Sequence, residues 1–265
     1  MILSRLVLAL PLLCPALQAA SRLALGDNEV LTYHVSWVVL PGVGTITIAA
    51  HAATDPASGA PCLNVSTKTA TVGLAHLLLP FEAHSELLFD ATSGRLLSVD
   101  ESSLTRRKIN VHRVTFDYED GIAWYLAKDP PADRRRLPMP PGYPADLITS
   151  LLSARTWDLK PGQTRDALVL FNDDFYQLTI HAIGYEDLDT PLGSFHTLLL
   201  EPRMDKTPPK GMFKRGSRAL VWISQDALRL PVRFQVEFKF GSGIANLVHY
   251  TPPTPHQPYR GNSLP

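Results

Sequence analysis

Apolar and polar residues alternate along most of the chain with a period of two. Between Val30 and Leu40, one side carries Leu31, Tyr33, Val35, Trp37 and Val39, and the other carries Thr32, His34, Ser36 and Val38. That is the pattern of a half-buried β-strand. Pro41-Gly42 predicts a turn, and a second strand resumes over 43–53. After a loop at Asp55 to Gly59, strands are predicted over 62–70, 81–89 and 95–101. Strands over 108–118 and 122–127 flank Glu119-Asp120-Gly121, whose Asp-Gly step favours a hairpin. The second half predicts strands over 165–171, 175–185, 194–202, 217–224, 228–240 and 244–250, the last two separated by a bend at Gly241-Ser242-Gly243. So many runs at hairpin spacing define an all-β chain. The expected architecture is a curved antiparallel meander sheet, as an open barrel, a half-barrel or a sandwich. One short helix is predicted from Asp146 to Arg155, where Asp146 caps a stripe of Leu147, Leu151 and Leu152.

The organisation around this sheet is simple. Arg5, the apolar stretch from Leu6 to Leu17 and the small residues Ala19-Ala20-Ser21 form a signal peptide over 1–20, which directs export to a periplasm or comparable envelope space. A proline-rich connection from Asp129 to Pro144 divides the strands into two groups, which are read as one β-rich domain over 27–250. A proline-rich tail at 251–265 is expected to be extended. Removal of the leader removes Cys14, so the remaining Cys62 has no disulfide partner and is expected to be buried.

Composition narrows the function by exclusion. Lys+Arg and Asp+Glu both number 25, so the basic excess that accompanies nucleic-acid binding is missing. The chain contains no nucleophile elbow, no zincin pair, no Cys-x-x-Cys and no phosphate-binding loop. The nine histidines show no metal-ligand spacing, and no metal or cofactor is expected. Three basic clusters stand out: Arg106-Arg107-Lys108, Arg134-Arg135-Arg136, and the group of Lys206, Lys210, Lys214, Arg215 and Arg218. All are expected in or beside loops. Lys206, Lys210, Lys214 and Arg215 are the candidate surface contacts, suited to anionic head groups at an envelope surface. Tyr33, Trp37, Trp124 and Trp222 are the candidate ligand-binding side chains. On a concave sheet face they line an apolar pocket if it is empty and form ordinary core if it is filled.

Several segments resemble one family. They are Leu31-Thr32-Tyr33-His34-Val35-Ser36-Trp37 with Gly42 and Gly44; Asp146 to Leu151 with Arg155; Gly193-Ser194-Phe195; Val221-Trp222-Ile223-Ser224-Gln225-Asp226 with Arg229 and Pro231-Val232; and Gly241 to Val248. Together, over about Leu31 to Tyr250, they look like the exported bacterial family of domain of unknown function 3108, with Gln225 where an acidic residue is expected. The resemblance implies export and an all-β fold, and it implies no activity. Read physically, Ser224 to Ala227 is a hairpin turn in which Asp226 accepts backbone N–H groups and Arg229 pairs with it.

The expected function is therefore non-catalytic. An exported protein binds a lipid or other envelope amphiphile on a curved sheet, peripheral at most to a membrane. The competing reading is a structural or interaction module that contacts an envelope protein and takes no small ligand. A hydrolase of an envelope polymer ranks third, and its Ser224–Asp226 pair lacks a neighbouring histidine in sequence.

Overall fold

A computed structural model describes residues 24–254, except 39, 107, 129–131, 211–212, 214–215 and 239–240. The expected leader and the tail beyond Thr254 lie outside the described residues. Fifteen strands form one sheet: β1 (Val30–Trp37), β2 (Leu40–Thr54), β3 (Pro61–Thr71), β4 (Phe81–Asp90), β5 (Leu96–Thr105), β6 (Ile109–Asp117), β7 (Ile122–Ala127), β8 (Arg134–Pro138), β9 (Pro144–Ala145), β10 (Thr164–Phe171), β11 (Asp174–Thr190), β12 (Gly193–Arg203), β13 (Arg218–Ser224), β14 (Pro231–Phe238) and β15 (Gly241–Thr251). Two short helices, α1 (Gly73–Leu78) and α2 (Leu147–Ser153), and a 3-10 turn at Ala154–Thr156 complete it.

Each strand pairs antiparallel with its sequence neighbour, except that β9 lies parallel to β10 and that β8 and β9 do not pair. The first and last strands, β1 and β15, pair at the centre, which leaves β8 and β9 as the two edges. Laid flat, a sheet of this width spans roughly 70 Å at the usual interstrand spacing. Yet only residues 139–143 join the two edges, and so few residues reach about 20 Å. The sheet must curl until its edges nearly meet. Arg135 of β8 closes part of the gap by pairing with Asp173 in the β10–β11 turn.

The core follows the alternation. Leu31, Tyr33, Ile48, Val65, Leu87, Val114 and Leu247 are almost completely buried in one cluster, and Ile180, Leu198, Leu200, Val221 and Ile223 belong to a second. The segment around α2 sits between them, giving Leu152 to the first cluster and Leu151, Ala154 and Trp157 to the second. Asp146 caps α2 as expected: its carboxylate accepts the Thr149 backbone N–H at 2.6 Å and the Thr149 hydroxyl at 2.5 Å.

Some local expectations change. The described residues form two helices rather than one, because Gly73 to Leu78 forms α1 between β3 and β4. The segment Arg134 to Pro138 is the edge strand β8, so the Arg134-Arg135-Arg136 cluster lies in a strand rather than a loop. Strand β2 begins at Leu40 and runs through Gly42, and the chain reverses earlier, at Val38. Gly241 and Gly243 lie inside β15, where Trp37 crosses them. A Cβ on Gly243 would stand 3.3 Å from the Trp37 ring, so any larger residue there would push the ring aside. The tail starts pinned: the Thr254 N–H donates to the Asp27 carbonyl at 2.8 Å.

Candidate functional site

The tryptophan–serine–aspartate segment is a structural clasp. Asp226 Oδ1 accepts the Leu228 and Arg229 backbone N–H groups, each at 3.0 Å, and the Ser224 hydroxyl at 2.8 Å. Ser224 Oγ in turn accepts the Leu230 N–H at 2.8 Å. The expected Arg229–Asp226 pairing does not form. The Arg229 guanidinium turns away to donate to the carbonyls of Arg155 and Trp157, both at 2.9 Å. Arg155 extends the clasp by donating to Glu29 at 2.8 Å, Ala24 O at 2.8 Å and Leu228 O at 3.1 Å. Glu29, almost fully buried, also accepts from the Tyr250 hydroxyl and the Gly26 N–H. These bonds tie the segment before β1, the turn after α2 and the β13–β14 hairpin together. Every polar group in the set is spent on structure.

The four candidate aromatics do not converge. Tyr33 is completely buried, edge-on to Phe234 at 5.2 Å, with its hydroxyl donating to Pro231 O at 2.8 Å. Burial pushes its phenol well above the ordinary value. Trp222 is buried too, and its indole N–H donates to Glu186. Trp37 and Trp124 stand at the surface, Trp37 against Phe238 at 5.7 Å and Trp124 beneath the Arg134 guanidinium at 4.6 Å. Trp37 thus departs from the expected core placement, because it lies on the last residue of β1, where the sheet stops covering it.

The candidate contact lysines are engaged. Lys206 pairs with Asp166, and Lys210 bonds to Asp174 and to Phe175 O at 2.6 and 2.7 Å, fastening the β12–β13 connection to β10 and β11. Lys214 and Arg215 lie outside the described residues.

Register assembles a polar row that spacing could not reveal. Thr67, Ser85, Glu101 and His112 are direct cross-strand partners on β3 to β6, next to the apolar row Val65, Leu87, Val99 and Val114. His112 is buried, 3.3 Å from Glu101 and stacked on Tyr125 at 5.1 Å. Burial raises the Asp146 carboxyl above its ordinary value against the Thr149 hydrogen bonds, and the nearby Glu101 charge adds to the rise. The row does not form a nucleophile–base pair, because the order places Glu101 between Ser85 and His112.

An open site lies on the opposite face of the same strands. Lys68, His84 and Ser102 form one cross-strand row, and Ala70, Glu82, Leu104 and Ile109 form the next. Together they line a groove of about 450 Å³. It joins aliphatic surface from Leu104 and Ile109 to cationic Lys68, with the Glu82 and Glu86 carboxylates beside it. His84 is held by Glu86 at 2.7 Å.

The groove opens toward one end of the sheet, where apolar side chains are unusually exposed. In a meander, alternate connections reach opposite ends, so α1 shares its end with the β1–β2 and β5–β6 turns. None of the α1 residues is buried, and Leu74, Leu77, Leu78 and Leu79 are 79%, 70%, 71% and 75% exposed. Val38 and Leu40 project beside them at 52% and 60%. Arg106 joins the β5–β6 turn to α1 by donating to Leu77 O at 2.9 Å. The run Leu77-Leu78-Leu79 was legible in sequence, but its exposure was not, since core and surface leucines read alike.

The fold defines a class: a curled, nearly closed β-meander with a packed interior. The chain belongs to the family DUF3108, described as protein of unknown function, whose model matches residues 32–248. No curated protein matches it significantly. Among solved structures, it is similar to a β-barrel-like protein of domain of unknown function DUF1849 from Brucella abortus. That match has a TM-score of 0.54 and 9% identity, and covers 87% of this chain and 99% of the other. A protein with a YmcC-like fold from Bacteroides fragilis, described as exported, matches at a TM-score of 0.33 and 10% identity, over 86% and 97% of the two chains. A protein from Parabacteroides distasonis described as a lipoprotein matches at 0.30 and 9%, over 87% and 99%. At such identity the first likeness concerns fold alone.

Proposed function

We propose that this protein is exported to the cell envelope and binds an amphiphile there without catalysis, in the groove across β3 to β6. The observation that carries the reading is the groove's lining. Leu104 and Ile109 offer aliphatic contact beside Lys68 and His84, which suits a molecule with an apolar body and a polar head. Export rests on the leader pattern in the first twenty residues. The Ser224–Asp226 pair does not support a hydrolase, since its hydroxyl is committed to the β13–β14 turn.

The test is the mass of the mature protein, purified gently from its own envelope, under native and then denaturing conditions. The expected result is an adduct that disappears on denaturation and is lost in Ser102→Trp, which fills the groove. A native mass equal to the bare chain overturns the reading and leaves the interaction module.

A further inference from the structure

The α1 end has a chemistry that groove binding does not explain. A helix at the protein surface ordinarily turns its apolar side inward. Helix α1 has no buried residue, and Leu74, Leu77, Leu78 and the following Leu79 all project into solvent. They form a protrusion rather than a cleft, so no small molecule is enclosed by them.

The charges around this protrusion are selective. Lys68, Arg106 and Lys108 have no carboxylate partner within ion-pair distance among the described residues. Arg106 is fixed against α1 through Leu77 O, Lys108 is two residues on in the same turn, and Lys68 lines the adjoining groove. Elsewhere at this end, Lys128 is neutralised by Asp100, Lys206 by Asp166 and Lys210 by Asp174, and Arg134 lies over the Trp124 ring. Of the acidic side chains there, Asp133 and Asp173 are engaged by Arg135 and Asp205 by His181, and Glu82, at the start of β4, is the carboxylate nearest α1 without a cation partner among the described residues. At the opposite end, Asp55, Glu119, Asp120 and Asp226 occupy the turns. Three unpaired cations against the single Glu82 carboxylate leave net positive charge around the leucines, and the acidic turns are kept a strand's length away.

We infer that the α1 end docks on the surface of an anionic lipid bilayer. The leucines of α1 enter the boundary between head groups and acyl chains, and Arg106, Lys108 and Lys68 meet the phosphates. Aliphatic tips with unpaired cations need a fluid apolar layer and diffuse negative charge, both of which a bilayer supplies. A protein partner would need shaped pockets for the same leucines. Docking shares Lys68 with the groove, rests otherwise on the leucines and the β5–β6 turn, and orients the groove's open end toward the lipid.

The test is co-sedimentation of the mature chain with vesicles of phosphatidylglycerol in phosphatidylcholine, and with phosphatidylcholine alone. Binding is expected to the anionic vesicles only and to weaken with salt. Leu74→Asp/Leu78→Asp should reduce it at least tenfold, and Lys108→Glu by about fivefold or more, from the usual worth of one cation near such a surface. Because these side chains are exposed, the urea midpoints of the variants should match the parent. Ser102→Trp should leave vesicle binding unchanged, which separates failure of docking from failure of the groove reading. Absence of binding to anionic vesicles, or binding indifferent to the leucine changes, overturns the inference. So does self-association abolished by Leu74→Asp/Leu78→Asp without vesicle binding, which would assign the end to a second copy.

Discussion

Replacing Arg155 by alanine should destabilise the fold far more than any surface change. Its side chain is only 10% exposed, and that of Glu29 2%. One guanidinium satisfies the Glu29 carboxylate and the carbonyls of Ala24 and Leu228. Truncation leaves Glu29 buried with only the Tyr250 hydroxyl and the Gly26 N–H as donors. Breaking a buried pair on one side costs about 3–5 kcal/mol, most of it from the charge left uncompensated. With a urea slope of about 2–3 kcal/mol/M, the midpoint should fall by roughly 1–2 M. Arg155→Lys should recover only part of the loss, because an ammonium lacks the fork that serves separated acceptors. Glu29→Gln in the Arg155→Ala background should cost much less than in the parent, since the uncompensated charge is then absent. The assay is a double-mutant cycle by urea unfolding of the mature chain. Additive single effects, or an Arg155→Ala loss under about 1 kcal/mol, would refute a clasp that fastens the segment before β1 to the β13–β14 hairpin.

Two further predictions rest on titrating groups. Arg218, with Arg203, holds the Glu201 carboxyl down to about 2 despite its burial, so its contribution to stability is present above the ordinary carboxylate range and is lost as pH falls from about 4.5 toward 2. The shift sets a ceiling of roughly 3 kcal/mol, and the half-exposed guanidiniums reduce the expectation to about 1–2 kcal/mol. Urea midpoints at neutral and acidic pH should show a steeper acid loss in the parent than in Glu201→Gln, and equal slopes would contradict the assignment. Burial pushes the Cys62 thiol up, with the Asp55 charge adding to it, so the folded chain should resist a thiol-specific disulfide reagent at mildly alkaline pH and react once unfolded in urea. Rapid reaction of the folded chain would contradict its burial.

Much of the fold was already written in the chain. The alternation of Leu31, Tyr33 and Val35 against Thr32, His34 and Ser36 dictated a strand with one buried face, because a strand presents successive side chains to opposite sides. The Asp-Gly step at 120–121 and the Asp146 cap placed a turn and a helix start through purely local hydrogen bonding and backbone freedom. The family resemblance was equally visible, since it rests on short contiguous segments. What the sequence could not settle was anything decided by register or curvature. Pairing of β1 with β15 brings residues more than two hundred positions apart into contact and makes the first and last strands the centre of the sheet. The same tertiary arrangement buries Tyr33 and Trp222 yet leaves Trp37 and Trp124 exposed, although all four lie in strands of similar pattern. Arg229 reaches past Asp226 to the turn after α2, because three-dimensional proximity supplied better acceptors than its own hairpin. The four leucines in and after α1 carry no sequence signal that separates core from surface. Their exposure follows from a sheet whose interior is already full, leaving a helix on the rim no apolar surface to cover.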